Sequence, residues 1–164
     1  MIDKRRAFIC GIKGAKLSSK EISFLKKYKP WGIILFSRNI KNIKQTQILT
    51  NKIKQIFNDD KYPILIDEEG GRVSRLRNFI DNSIFTAEYF GKLYTQNNNK
   101  FNLYIEIYIK QLSYLLDTLG INLNTCPVLD VKRNNSHKII SGRSYSKNPK
   151  IVSKIGDKCI YLFH

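Results

Sequence analysis

The chain has 164 residues, with 29 Lys plus Arg against 13 Asp plus Glu and a formal charge of +16, the size of one domain or of part of a larger one. Its 42% apolar content, with nine Tyr, nine Phe and one Trp, can build a core and excludes a disordered chain. Cys10, Cys126 and Cys159 lack Cys-x-x-Cys spacing or a His partner, which argues against a disulfide framework or zinc site; no apolar run reaches membrane-spanning length, so a reducing cytosolic setting is expected.

Strand and helix patterns alternate. Phe8 to Ile12 reads as a strand; Ser18 and Glu21 then have capping-box spacing before a helix with Ile22, Leu25 and Tyr28 on one face, which Pro30 is expected to stop. Gly32 to Phe36 is a continuous apolar run of the kind buried on both faces of a parallel sheet. Asn42 and Gln45 repeat the cap spacing ahead of Leu49, Ile53, Ile56 and Phe57, predicting a helix to about Asn58. Pro63 to Asp67 is a third strand. From Arg72 to about Asn99 the pattern is a loop with one short helix, and from Phe101 helical period runs to Leu119, with Gly120 as its C-terminal cap. A fourth strand is expected within Ile121 to Asp130. Asn148 followed by Pro149 opens a last helix carrying Ile151, Val152, Ile155, Cys159, Ile160 and Phe163, and the chain stops inside that pattern. Four strand-helix units with long connections predict an α/β fold with a parallel sheet, whose sites lie at the carboxyl ends of strands.

The sharpest chemical segment is Asp67-Glu68-Glu69-Gly70-Gly71-Arg72, directly after the third strand. Three adjacent carboxylates repel unless countercharges or a ligand sit among them, and Arg72, Arg75 and Arg77 are at hand. The two glycines permit positive φ and close approach of the backbone to a ligand. Two other readings stand beside a binding site: an acid-arginine network that pins a loop, and a Mg²⁺ site of Asp67, Glu69 and Asp130, which the nearby arginines weaken. The +16 charge raises a nucleic-acid partner, yet 21 Lys, 24 Ile and 15 Asn fit adenine- and thymine-rich coding, and the lysines form no block or known binding pattern.

Four segments in register, Gly32 to Asn39, Ile66 to Leu76, Gly120 to Val131 and Gly142 to Pro149, resemble the N-terminal half of family 3 glycoside hydrolases, most closely the bacterial cytosolic β-N-acetylhexosaminidases of peptidoglycan recycling. The resemblance runs from about Phe8 to about Cys159. It implies the first half of a (β/α)₈ TIM barrel, with residues 1–164 forming the N-terminal part of one barrel domain. It also implies substrate contacts at Asp67, Arg75 and Arg143, where an ionised acceptor and fixed guanidinium donors would hold sugar hydroxyls. Asp67 could instead merely pair with Arg75, and Arg143 merely brace its loop.

Retaining glycosidases need a nucleophile and an acid/base group. In the resembled enzymes these are an aspartate and a loop histidine C-terminal to everything matched here, so no catalytic residue is expected in this chain. His137 reads as a solvated surface histidine and His164 as the last residue only. Asn148 stands where the family usually has aspartate, and Glu68 where it commonly has glutamine. Neither cofactor nor metal is expected. The expected partner is a carbohydrate, N-acetylglucosamine-containing cell-wall fragments, with no membrane and no nucleic acid; unpaired strand edges predict self-association or a complementing C-terminal half. The rival readings are a non-catalytic sugar-binding remnant, another family 3 specificity such as β-glucosidase, and a basic nucleic-acid-binding protein.

Overall fold

A computed structural model describes residues 5–133, 140 and 142–164. Strands β1 (Arg6–Gly11), β2 (Pro30–Leu35), β3 (Ile64–Ile66) and β4 (Leu123–Asn124) form one parallel sheet in the order β1-β2-β3-β4. Consecutive parallel strands with helical segments between them are the arrangement of the first half of a (β/α)₈ barrel, as expected. The described chain forms two compact units: residues up to Asp67 with Leu115–Asn124, and Glu68–Tyr114 with Thr125 onward. Among the described residues no helix is long and apolar enough to cross a membrane.

The first unit holds the whole sheet. Register puts Cys10, Ile33 and Ile64 in one row, and Leu35 beside Ile66 in another; Ile33, Leu35, Ile64 and Ile66 are fully buried. Helix α1 (Ser19–Tyr28) begins with the foreseen capping box: the Ser18 hydroxyl accepts from the Glu21 N–H at 3.2 Å, and the Glu21 carboxylate accepts from the Ser18 N–H at 2.9 Å. It ends directly before Pro30, as expected. Lys29, in the left-handed region at φ 48°, donates its N–H to the Leu25 carbonyl, and Pro30 is the first residue of β2. Helix α2 (Ile43–Phe57) is capped by Asn42, whose Oδ1 accepts from the Gln45 N–H at 2.9 Å.

Between β2 and α2 a 3₁₀ turn, Ser37–Asn39, had no sequence signal. It exists to bury Asn39, which accepts from the Phe36 N–H and donates to the carbonyls of Ile12 and Gly14. A second asparagine, Asn122, accepts from the Ile64 N–H at 2.8 Å and donates to the Tyr62 carbonyl, fastening the entry of β3 to the chain that leads into β4. Strand β4 is two residues long rather than running toward Asp130. Pro127 has no N–H to give a ladder, so pairing cannot continue through it.

The second unit packs α3 (Ala87–Gln96), most of α4 (Asn98–Thr118) and α5 (Pro149–Phe163) around Phe90, Phe101, Ile105, Ile109, Ile155 and Cys159. Thr86 caps α3 through the Tyr89 N–H at 3.0 Å, and Asn148 caps α5 through the Lys150 N–H at 2.9 Å, with Pro149 first in the helix as expected. Helix α4 starts at Asn98, earlier than the periodicity from Phe101 indicates. Asn97 accepts from the Lys100 N–H at 3.0 Å, so a polar triplet that reads as loop is a junction between two helices.

Candidate functional site

Strand β3 is buried along its length and ends at Ile66, which brings Asp67 to its carboxyl end, half-buried. The chain then enters the second unit through a loop that its own carboxylates hold. Glu68 is 1% exposed; its Oε2 accepts from the backbone N–H groups of Arg75 at 2.6 Å and Leu76 at 3.0 Å, and its Oε1 accepts from the Asn82 amide at 3.4 Å. The Glu68 carbonyl accepts from the Cys126 thiol at 3.2 Å.

Glu69 does different work. Both its oxygens are taken by Arg143, at 2.7 Å from Nε and 2.8 Å from Nη2, a two-pronged pair between side chains 10% and 26% exposed. The bond to Glu69 raises the Arg143 guanidinium pKa, against the opposing effect of burial. Such geometry fixes the guanidinium plane, which a single lysine charge would not do. The countercharge for Glu69 is thus Arg143, not the neighbouring arginines that local spacing suggested. Arg77 instead donates to the carbonyls of Gly71 and Arg72.

The glycine pair is needed for two reasons, one foreseen. Gly70 and Gly71 have φ of 76° and 60°, as positive-φ positions. The close approach they permit is to the chain itself: a Cβ on Gly70 would lie 2.2 Å from the Phe85 carbonyl oxygen, and one on Gly71 would lie 2.7 Å from the Thr86 side chain.

The Arg-Ser-Tyr segment divides its roles by residue. Arg143 meets Glu69. Ser144, 2% exposed, donates to the Asp130 carbonyl at 2.6 Å and accepts from the Lys132 N–H at 3.1 Å. Tyr145 runs into the core beside Cys159, its hydroxyl 3.6 Å from that sulfur, and burial pushes both the phenol and the thiol up. Together these elements line a partly open cavity of about 130 Å³ walled by Glu69, Gly70, Gly71, Thr86, Arg143 and Tyr145.

Of the three residues expected to contact substrate, Arg143 lines this cavity, Arg75 lies in the same unit with its backbone held by Glu68, and Asp67 closes the first unit. Glu68 and Tyr108 carry structure that the sequence did not announce. The Tyr108 hydroxyl is buried without a hydrogen-bond partner among the described residues, and burial, then the Glu68 charge, pushes it up. Its place inside a helical apolar pattern gave no sign of this. The Mg²⁺ reading loses Glu69 to Arg143, and among the described residues no group of three His, Cys, Asp or Glu side chains is arranged to hold a metal. His137 lies outside the described residues.

The glycosyl hydrolase family 3 N-terminal domain matches residues 3–164. The chain is 32% identical to a β-hexosaminidase A of Pseudoalteromonas piscicida over 80% of its own length and 22% of the relative's. It is 32% identical to a β-hexosaminidase of Tolumonas auensis over 93% of its length and 43% of the relative's. Among solved structures, NagZ from Neisseria gonorrhoeae in complex with N-trifluoroacetyl-D-glucosamine superposes with a TM-score of 0.84 at 28% identity, covering 98% of this chain and 47% of that one. The chain therefore spans less than half the length of each of these relatives.

Proposed function

Because the chain belongs to glycosyl hydrolase family 3, we propose that it carries the sugar-holding side of a β-N-acetylhexosaminidase site, one that releases terminal β-N-acetylglucosamine from peptidoglycan fragments being recycled in the cytoplasm. Residues 1–164 form the N-terminal part of a single barrel domain in this reading. The observation that carries it is the Arg143–Glu69 pair at the wall of the 130 Å³ cavity. A guanidinium whose Nε and Nη2 are locked by a carboxylate presents its remaining edge, Nη1, in a fixed orientation, which suits a ring whose recognition depends on the direction of its hydroxyl and amide groups. Asp67, at the end of a buried strand, is the ionised acceptor for sugar hydroxyls, and Arg75 is its companion donor. The ligand in the Neisseria structure, an N-acylated glucosamine, supports the choice of sugar.

Hydrolysis itself needs a nucleophile and an acid/base group. The 164-residue polypeptide supplies neither in this reading, so it binds without turnover. Calorimetry of the purified chain with N-acetylglucosamine tests the first half: binding is expected, weakened about 10- to 100-fold by Arg143→Ala or Asp67→Ala through loss of charge-assisted hydrogen bonds. Absence of binding by the wild-type chain would sink the proposal. A chromogenic N-acetylglucosaminide tests the second half, where turnover that disappears with Asp67→Ala would show that the chain does contain a catalytic centre.

A further inference from the structure

The loop after β3 is organised around a side chain to which neither composition nor resemblance assigns a part. Glu68 is 1% exposed, and its carboxylate accepts from three donors: the N–H groups of Arg75 and Leu76 on one oxygen and the Asn82 amide on the other. A carboxylate accepts at both oxygens and fits this ring of donors. Asn82, also 1% exposed, extends the grip, since its backbone carbonyl accepts from the N–H groups of Gly71 at 2.8 Å and Phe85 at 3.1 Å. One side chain thereby ties together the residue after Asp67, the backbone that carries Arg75 and, through Asn82, the glycine turn beside the Arg143 cavity.

We propose that Glu68 is the positioning residue of the site, its carboxylate and Asn82 forming a clamp that sets the backbone of Arg75 and the Gly70-Gly71 turn. The clamp stands on the hydrogen bonds alone; its consequence for sugar binding rests on the function proposed above. One detail makes it testable by exchange of partners. Asn82 Oδ1 is buried and has no hydrogen-bond partner among the described residues. In Glu68→Gln the new amide oxygen can still accept from Arg75 and Leu76, while the new N–H₂ faces Asn82. Rotation of the Asn82 amide turns its unused oxygen toward that donor, so the clamp survives. In Asn82→Asp, by contrast, two carboxylates meet in a buried site, and either one takes up a proton or the loop opens. Combining the two substitutions restores a donor facing an acceptor.

Hydrogen exchange on the full 164-residue chain reads this out at the amides of Arg75, Leu76 and Gly71, with β2 as internal reference. Glu68→Ala and Asn82→Asp are expected to speed exchange at these three amides about tenfold or more, the loss of a charge-assisted hydrogen bond. Glu68→Gln and the double variant Glu68→Gln/Asn82→Asp are expected to stay within about threefold of wild type, a span well short of that loss. Unchanged exchange in Glu68→Ala would overturn the clamp, as would a double variant no better protected than Asn82→Asp alone. Should Glu68→Ala fail to fold, the comparison of Asn82→Asp with the double variant decides the matter by itself. The exchange pattern holding while wild type fails to bind N-acetylglucosamine would support the clamp and count against the sugar reading.

Discussion

Three neighbouring carboxylates, Asp67, Glu68 and Glu69, avoid mutual repulsion by facing different environments. Glu68 turns inward to backbone donors, Glu69 turns to Arg143, and Asp67 stays half-buried at the end of β3. Their charges invited the search for countercharges, and the sequence marked the right segment. It could not supply the partner, because Arg143 stands 74 residues away and spacing only advertises near neighbours. The glycines tell the same story at one remove: positive φ was readable from Gly70-Gly71, whereas the wall they approach, Phe85 and Thr86, was not. Gly70→Ala would therefore meet both a left-handed backbone and an oxygen at 2.2 Å. It is expected to cost roughly 2 kcal/mol or more, seen as a lower midpoint of thermal unfolding. An unchanged midpoint would show that the turn is set elsewhere.

At the scale of elements, what could be read in advance was whatever is decided within four residues. Ser18, Asn42 and Asn148 cap α1, α2 and α5 as their spacing indicates, because a cap is a contact between a side chain and a backbone N–H two or three positions on. The 3₁₀ turn after β2, the brevity of β4 and the start of α4 escaped because each depends on a distant partner or a missing donor: the Ile12 carbonyl for Asn39, the absent N–H of Pro127, and the abutting end of α3. The α1 cap makes a paired prediction. Ser18→Ala should destabilise the fold by about 1 kcal/mol, measured by denaturant midpoint. Burial works to raise the Glu21 pKa, but hydrogen bonds from Lys13 and Ser18 outweigh it and hold it below the usual carboxylate range. A group depressed in this way stabilises the fold above its unfolded pKa, and that contribution is lost as pH falls through the folded value. The gap between wild type and Glu21→Gln should therefore shrink in acid, below about pH 4. A gap that is constant from pH 7 to pH 3 would contradict the capping role.

The scale of the whole polypeptide turns on the sheet, whose two faces are unequal. On one face Ile33, Leu35, Ile64 and Ile66 are fully buried, while the opposite face, which carries Ile9 and the row Gly11, Ile34, Leu65, Leu123, leaves Ile9 44% and Leu123 38% exposed. Among the described residues the sheet is bounded by β1 and β4, each paired on one side only. In a closed eight-stranded barrel such a face is filled by layers of side chains from all strands and no edge remains. The strand order was legible because buried runs alternating with amphipathic helices allow few topologies; that the four units are the first half of a barrel came from the family resemblance, with the size of the chain in agreement. An isolated polypeptide with a partly open apolar face and two parallel edges is expected to self-associate. Analytical ultracentrifugation should then show mass above that of a monomer, rising with concentration. Ile9→Lys places a charge on the edge strand at a site already open to solvent, so it should lower the average mass while changing stability by no more than about 0.5 kcal/mol. A wild-type chain that sediments as a single monomer at all concentrations would mean that the exposed face and edges need no cover.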